Sequence, residues 1–233
     1  MALFVFGHGT AFAAFSVKDT AAALDREENP SRVADQAIRL EAYIAGQQNP
    51  PADALSQLAR AYYLLGEANK DKKKRAVLFD KSVNTADRAL KAAPGDYIAT
   101  YWRAMSLLQK ADLTGGFAAL GFVKDALKNL EAVSKKDPAY DSAGAFRSWG
   151  KVLIEAPGWA FIGDKKKGLE LLLKAKKIAP GLLVNRLYLA QAYKVNGMRG
   201  EAVKELEYIS AAPAKTKDDL ETKEEARKLQ KSL

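Results

Sequence analysis

Four prolines close apolar-periodic stretches of this 233-residue chain, at Pro94, Pro138, Pro180 and Pro213, spaced 44, 42 and 33 residues apart. A proline has no amide donor for a helix interior and its ring collides with the preceding turn, so each marks a helix stop. This recurrence constrains the fold more than any other feature. Units of about 20–50 residues that cannot bury their own apolar face must stack into a solenoid. No stretch alternates apolar and polar residues at period two, so the expected fold is all-α, without a sheet.

The last unit, Asn185 to Pro213, resembles a tetratricopeptide repeat along its whole length. Leu189 and Ala190 precede Tyr193, Gly197 lies in the turn, and Ala202, Leu206 and Ile209 follow on a second helix. The spacing is about packing. Ala190 and Ala202 are small enough for two antiparallel helices to approach closely, and Tyr193 and Leu206 fill the wedge that remains. Earlier units follow the plan more loosely. Leu58, Ala59 and Tyr62 pair with Phe79, Val83, Ala86 and Leu90, and Tyr101, Ala104 and Leu107 pair with Ala126, Leu130 and Val133. Gly150 and Leu153 pair with Gly168, Leu172 and Ala175, with Asp164 as an N-cap.

From its first small residue to its closing proline the repeat template runs about 24 positions. Here Ala59 to Pro94 is 35, Ala104 to Pro138 is 34, Gly150 to Pro180 is 30 and Ala190 to Pro213 is 23. The excess is assigned to inserts between the two helices of a unit: NKDKKKRAVLFD, KADLTGGFAALGF and IEAPGWAFIGD, all leaving on one edge of the solenoid. An amphipathic helix over residues 31–45 and a charged helix after Thr216, with a capping-box-like Thr216-x-x-Asp219, read as caps. The expectation is a tetratricopeptide-like helical-hairpin solenoid of about four repeats with inserts plus capping helices, one domain over residues 14–233.

Composition narrows the chemistry. There is no cysteine and a single histidine, His8, so thiol catalysis, Cys-ligated metals, histidine triads and histidine-rich metal sites are excluded. No GxxxxGK[ST], GxSxG or HExxH occurs, and the carboxylates are scattered along helical faces. The expectation is no enzyme, no metal and no cofactor. The net charge is +9, with lysines clustered at Lys70–Arg75, Lys165–Lys167 and Lys174–Lys177. Such runs suit nucleic acid or anionic lipid. They lack the aromatic interleaving of single-strand binders and are read as cations at helix ends or on polar faces, with no nucleic-acid partner expected.

Residues 1–13, MALFVFGHGTAFA, are free of Lys, Arg, Asp and Glu and end in Ala11-Phe12-Ala13, an A-x-A cleavage pattern without a basic leader. They read as the tail of a truncated export signal, or as an apolar terminus docked on the body. Nothing downstream fits a span of about 20 apolar residues, so the chain is not expected to be an integral membrane protein.

Residues 140–210 add a narrower likeness. Gly144-x-x-Arg147-x-x-Gly150, Ala156-Pro157-Gly158-Trp159, Gly163-Asp164 and Asn185-Arg186-Leu187-Tyr188-Leu189-Ala190, with Tyr101-Trp102-Arg103-Ala104 upstream, resemble the T component of tripartite ATP-independent periplasmic (TRAP) transporters. The likeness runs from Tyr97 to Ile209. It departs at Ala160, where the family carries proline, and there is no lipobox cysteine. The resemblance implies a non-catalytic periplasmic scaffold that binds the solute-binding P subunit, forms homo-oligomers, and contacts a small carboxylate or apolar ligand. The alternative is a generic tetratricopeptide adaptor gripping peptides in envelope or pilus assembly.

Candidate contact residues follow. Arg147 beside Trp149 and Trp159 suits a carboxylate or a partner hot spot, or the tryptophans simply pack between repeats. Tyr97, Tyr101, Trp102 and Arg103 form a helical patch, either a row on the concave face or core. Asn185 and Arg186 open the last lead helix, where asparagine can grip a peptide backbone, and Tyr193 lies two turns further along.

Overall fold

The computed structural model describes residues 15–25, 27, 29–157 and 160–233. The apolar N-terminal stretch read as an export signal lies outside them, as do Gly158 and Trp159. Among the described residues the chain is helical throughout, without strands. In order the helices are α1 (Val17–Leu24), α2 (Pro30–Ala45), α3 (Ala52–Ala68), α4 (Lys72–Ala92), α5 (Tyr97–Thr114), α6 (Leu120–Lys136), α7 (Tyr140–Glu155), α8 (Lys165–Ile178), α9 (Leu183–Val195), α10 (Arg199–Ala211) and α11 (Lys217–Lys231).

The helices begin where side chains can take up free amides. Ser16, Asn29, Asp71, Asp96 and Asp164 each accept from a backbone N–H of the first turn that follows. Thr216 and Asp219 form a complete capping box at α11. Consecutive helices pair as antiparallel hairpins, α3 with α4, α5 with α6, α7 with α8 and α9 with α10. Each trailing helix then packs on the next lead helix. α3 also meets α5 and α7 meets α9, whereas trailing helices do not pack closely on one another. The lead helices therefore share an inner wall and the trailing helices form the outer layer, as in a tetratricopeptide solenoid.

The positions chosen for close approach are closed in fact. Ala59, Ala86, Ala104, Ala126, Ala175, Ala190 and Ala202 have no accessible surface. Where α3, α4 and α5 come together, Ser82 donates to the Ala59 carbonyl at 2.7 Å and Ser106 donates to Ser82 at 2.7 Å. Two small hydroxyls thus bridge a seam that methyl groups alone would leave unpartnered. Gly150 and Gly168 face each other so closely that a Cβ on Gly150 would lie 2.9 Å from the Gly168 carbonyl oxygen.

Several expectations change. The lysine-rich segment after Ala68 is not an insert: only Asn69–Asp71 link α3 to α4, and Lys72 onward is helix. Asp71 caps it, and lysine, arginine and alanine are good helix formers, so the excess length is extra helix. Likewise α5 runs to Thr114 and α6 begins at Leu120, joined by Gly115, Gly116 and a 3₁₀ turn over Phe117–Ala119. The third excess falls between the end of α7 at Glu155 and the start of α8 at Lys165, so it remains an insert between two helices. The segment 31–45 is not a lone cap, because α1 packs against α2 and α3 and makes a further hairpin. Lastly, Lys72–Lys74 and Lys165–Lys167 occupy the first turns of α4 and α8, the end of a helix dipole that disfavours cations. Among the lysine runs, only Lys176 and Lys177 of α8 sit in a last turn.

Candidate functional site

α3 packs directly on α5 and α7 on α9, but α5 and α7 are joined mainly through side chains. The residue at the centre of that junction is Asp141, at the start of α7. Its Oδ2 accepts from the Tyr101 hydroxyl at 2.5 Å and from Arg147 Nη2 at 2.7 Å. Arg147 Nη1 donates to the carbonyls of Asp141 and Ser142, each at 3.2 Å, and to Asn185 Oδ1 at 3.3 Å. Asn185, with no accessible surface, donates through Nδ2 to the carbonyls of Ser142 and Ala175 at 3.3 and 3.2 Å. One polar network therefore ties α5, α7, α8 and α9 together.

The network holds an unusual backbone. Asp141, Ser142 and Ala143 have φ of 50°, 53° and 67°, the left-handed region that costs non-glycine residues about 1–2 kcal/mol each. Such a turn persists where the surroundings over-determine it. Here the Asp141 carboxylate and two successive carbonyls are all engaged by Arg147 and its neighbours. Gly144 makes room: a Cβ there would lie 2.2 Å from the Tyr101 hydroxyl and 2.5 Å from Asp141 Oδ2.

Around this junction the inner wall is aromatic. Trp102 Nε1 donates to the Tyr140 hydroxyl at 2.9 Å, and Tyr101 and Tyr97 each meet the Tyr140 ring edge-on, at 5.2 and 5.4 Å. Tyr63 of α3 tilts against Trp102 at 5.2 Å, and the Arg60 guanidinium stands 5.3 Å over the Trp102 ring. Further along, Lys151 lies 4.4 Å over Tyr188 and donates to Gln191. Burial raises the Tyr188 phenol above its ordinary pKa.

Burial, and next to it Asp141, holds the Tyr101 phenol well above its ordinary pKa, and burial with Glu67 does the same for Tyr63. Both remain neutral donors. Burial opposes the Arg147 charge, yet Tyr101 and Asp141 outweigh it and raise its pKa. Glu67 is pushed up by burial, partly offset by Arg75.

Three of the residues singled out from sequence, Tyr101, Arg147 and Asn185, meet in the network. Trp102 and the partly exposed Tyr97 line the adjoining aromatic wall. Arg103 points elsewhere, to Asp87 of α4 at 2.6 Å. Trp149 is 9% exposed beneath Lys167, which lies 4.7 Å from its ring centroid. Arg186 donates to Glu205 at 2.7 Å and stacks 3.4 Å over Tyr208, while Tyr193 packs in the core beside Leu189 and Ala202. Trp159 lies outside the described residues. Sequence reasoning missed Asp141, Tyr63, Tyr140, Lys151 and Tyr188. Gly144 was the available signal, since a glycine in the first turn of a lead helix marks something pressed against it.

The chain is a tetratricopeptide-like helical-repeat protein. Among solved structures it is similar to TTC0263, a tetratricopeptide protein of Thermus thermophilus, with a TM-score of 0.66 and 16% identity over 91% of this chain and 98% of that one. It is also similar to MamA of Desulfovibrio magneticus RS-1, with a TM-score of 0.54 and 21% identity over 82% of this chain and 92% of that one. A sequence family described as Regulator of microtubule dynamics protein 1-3 matches residues 165–233, from α8 onward. No curated protein matches the chain.

Proposed function

We propose that this protein is a non-catalytic scaffold that binds a protein partner along the inner wall of α3, α5, α7 and α9. The observation that carries this reading is the wall itself: rigid, aromatic and cationic, with Tyr97, Lys151 and Tyr188 half-buried at its surface above a hydrogen-bonded foundation. Rigid aromatics flanked by basic side chains are the chemistry of partner hot spots, because they offer contact area at little entropic cost. Arg147 already spends its donors on Asp141, two carbonyls and Asn185, so it supports the wall rather than seating a free carboxylate.

A narrower form of this reading takes the partner to be the solute-binding subunit of a TRAP-type uptake system in the periplasm. What supports it is that Gly144, Arg147, Gly150 and Asn185, on which the likeness to T components rests, have concrete structural work at the junction of successive repeats. The test is affinity capture from envelope extract, comparing the wild-type chain with Lys151→Glu/Tyr188→Ala. Retention of one solute-binding protein in fixed ratio by the wild type, and its loss with the variant, is the expected result. Assorted pilin-like or unfolded chains instead favour the general adaptor, and equal capture by both chains contradicts use of the inner wall.

A further inference from the structure

The turns inside successive hairpins leave the solenoid on one edge, and that edge combines exposed lysines with exposed phenylalanines. Lys72–Lys74 and Lys165–Lys167 are exposed in the first turns of α4 and α8, where the helix dipole makes a cation unfavourable. Two phenylalanines stand among them at the turn tips. Phe117 is 75% exposed between α5 and α6, and Phe161 is 95% exposed between α7 and α8. The turns are neighbours in space. Arg75, in the first turn of α4, donates to Gln109 near the end of α5 at 3.0 Å. Asn196, in the α9–α10 turn beside the exposed Met198, donates to the Lys165 carbonyl at 3.1 Å.

We propose that this edge docks on an anionic lipid bilayer, with Phe117 and Phe161 entering the headgroup boundary and the lysine triplets lying against lipid phosphates. Asp71 and Asp164 cap these helices and offset part of the dipole cost, but two carboxylates face six exposed lysines, so the edge keeps a positive charge that complements an anionic surface. The two exposed phenylalanines supply apolar side chains that a lipid headgroup boundary takes up and a polyanion does not. Each lysine near an anionic surface contributes about fivefold in partition, and a partly inserted phenyl ring adds apolar transfer. No described helix is long and apolar enough to cross a membrane, so this is attachment at the surface. The inner wall stays free for a partner while the edge holds the lipid.

The experiment is flotation of the full chain with vesicles of equal parts phosphatidylcholine and phosphatidylglycerol, and with phosphatidylcholine alone. Binding to the anionic vesicles only, weakened by salt, is expected. Phe117→Ser/Phe161→Ser lowers partition about tenfold. Lys72→Glu/Lys73→Glu/Lys165→Glu/Lys166→Glu lowers it about a hundredfold or more, and this variant folds at least as well, because acidic residues suit a helix first turn. Lys91→Glu/Lys136→Glu/Lys177→Glu, at helix C-termini on the opposite edge, changes partition by less than about twofold. The proposal is overturned if anionic vesicles do not bind, or if the two edges' variants lose binding equally. Binding of a polynucleotide or an acidic protein through the same lysines, without vesicle binding, also overturns it.

Discussion

Tyr101 and Asp141 lie forty positions apart in sequence, and the tyrosine hydroxyl donates to the aspartate at 2.5 Å across the junction between two repeats. That bond, shared with Arg147, fixes a left-handed turn at the head of α7 and so sets how the second half of the inner wall meets the first. Removing the hydroxyl leaves Asp141 to Arg147 alone, and removing the carboxylate leaves the buried hydroxyl unpaired. Tyr101→Phe and Asp141→Asn should each cost about 1–3 kcal/mol, and a double-mutant cycle by chemical denaturation should give a coupling of about 2 kcal/mol. Strict additivity would show that the turn stands without the bond.

Gly144 has no room for a methyl group. Gly144→Ala should destabilise by about 1–3 kcal/mol, because a Cβ would press on both Tyr101 and Asp141. Gly121, with nothing within 4 Å of its Cβ position, is the control: Gly121→Ala on α6 should be neutral or stabilising by up to about 1 kcal/mol. Thermal melts of the two variants side by side decide the point.

Glu205 is 6% exposed and bridges two cations, Lys176 of α8 at 2.5 Å and Arg186 of α9 at 2.7 Å. Glu205→Gln leaves the shape and removes the charge, and should cost about 3 kcal/mol by leaving a largely buried guanidinium short of its counter-ion. Urea denaturation measures it. A loss below about 0.5 kcal/mol would place this cluster with ordinary surface ion pairs.

The repeat pattern was legible because packing writes itself into small residues: Ala59, Ala104, Ala190 and Ala202 sit where helices touch, and each was visible as a break in an otherwise large apolar stripe. Helix length was not legible in the same way. The template spacing turned Lys72–Asp80 into an insert, although Asp71 as a cap and a run of good helix formers say otherwise. α1 was missed because VKDTAAAL is only eight residues long, too short to show a repeated apolar period. At the site, Tyr101, Arg147 and Asn185 were found individually as conspicuous residue types. Asp141 was not, since an aspartate after a helix-ending proline looks like one more cap, and only the three-dimensional meeting of α5 with α7 gives it a second and third partner.

Glu67 gives the fold a pH dependence of defined sign. Its carboxyl accepts from the Tyr63 hydroxyl at 3.3 Å, and burial raises its folded pKa above the ordinary 4.5. A raised carboxyl binds protons better folded than unfolded. Its contribution to stability is therefore full below pH 4.5 and is lost as pH rises through the raised folded value. The stability difference between wild type and Glu67→Gln should shift in favour of the variant across that interval and then level off. A flat difference, measured by denaturant titration at several pH values, would mean that the carboxyl is free in solvent.

The most direct test of the inner wall as a partner-binding surface is site-specific photo-crosslinking in the native cell. A photoreactive phenylalanine is placed at Tyr188 or Tyr97 on the wall, and at Ile38 or Leu173 on trailing helices of the outer layer. The account predicts one discrete crosslinked protein from the wall positions and none from the outer pair, lost when Lys151→Glu is added. Crosslinks confined to Ile38 and Leu173, with none at Tyr188 and Tyr97, would contradict it.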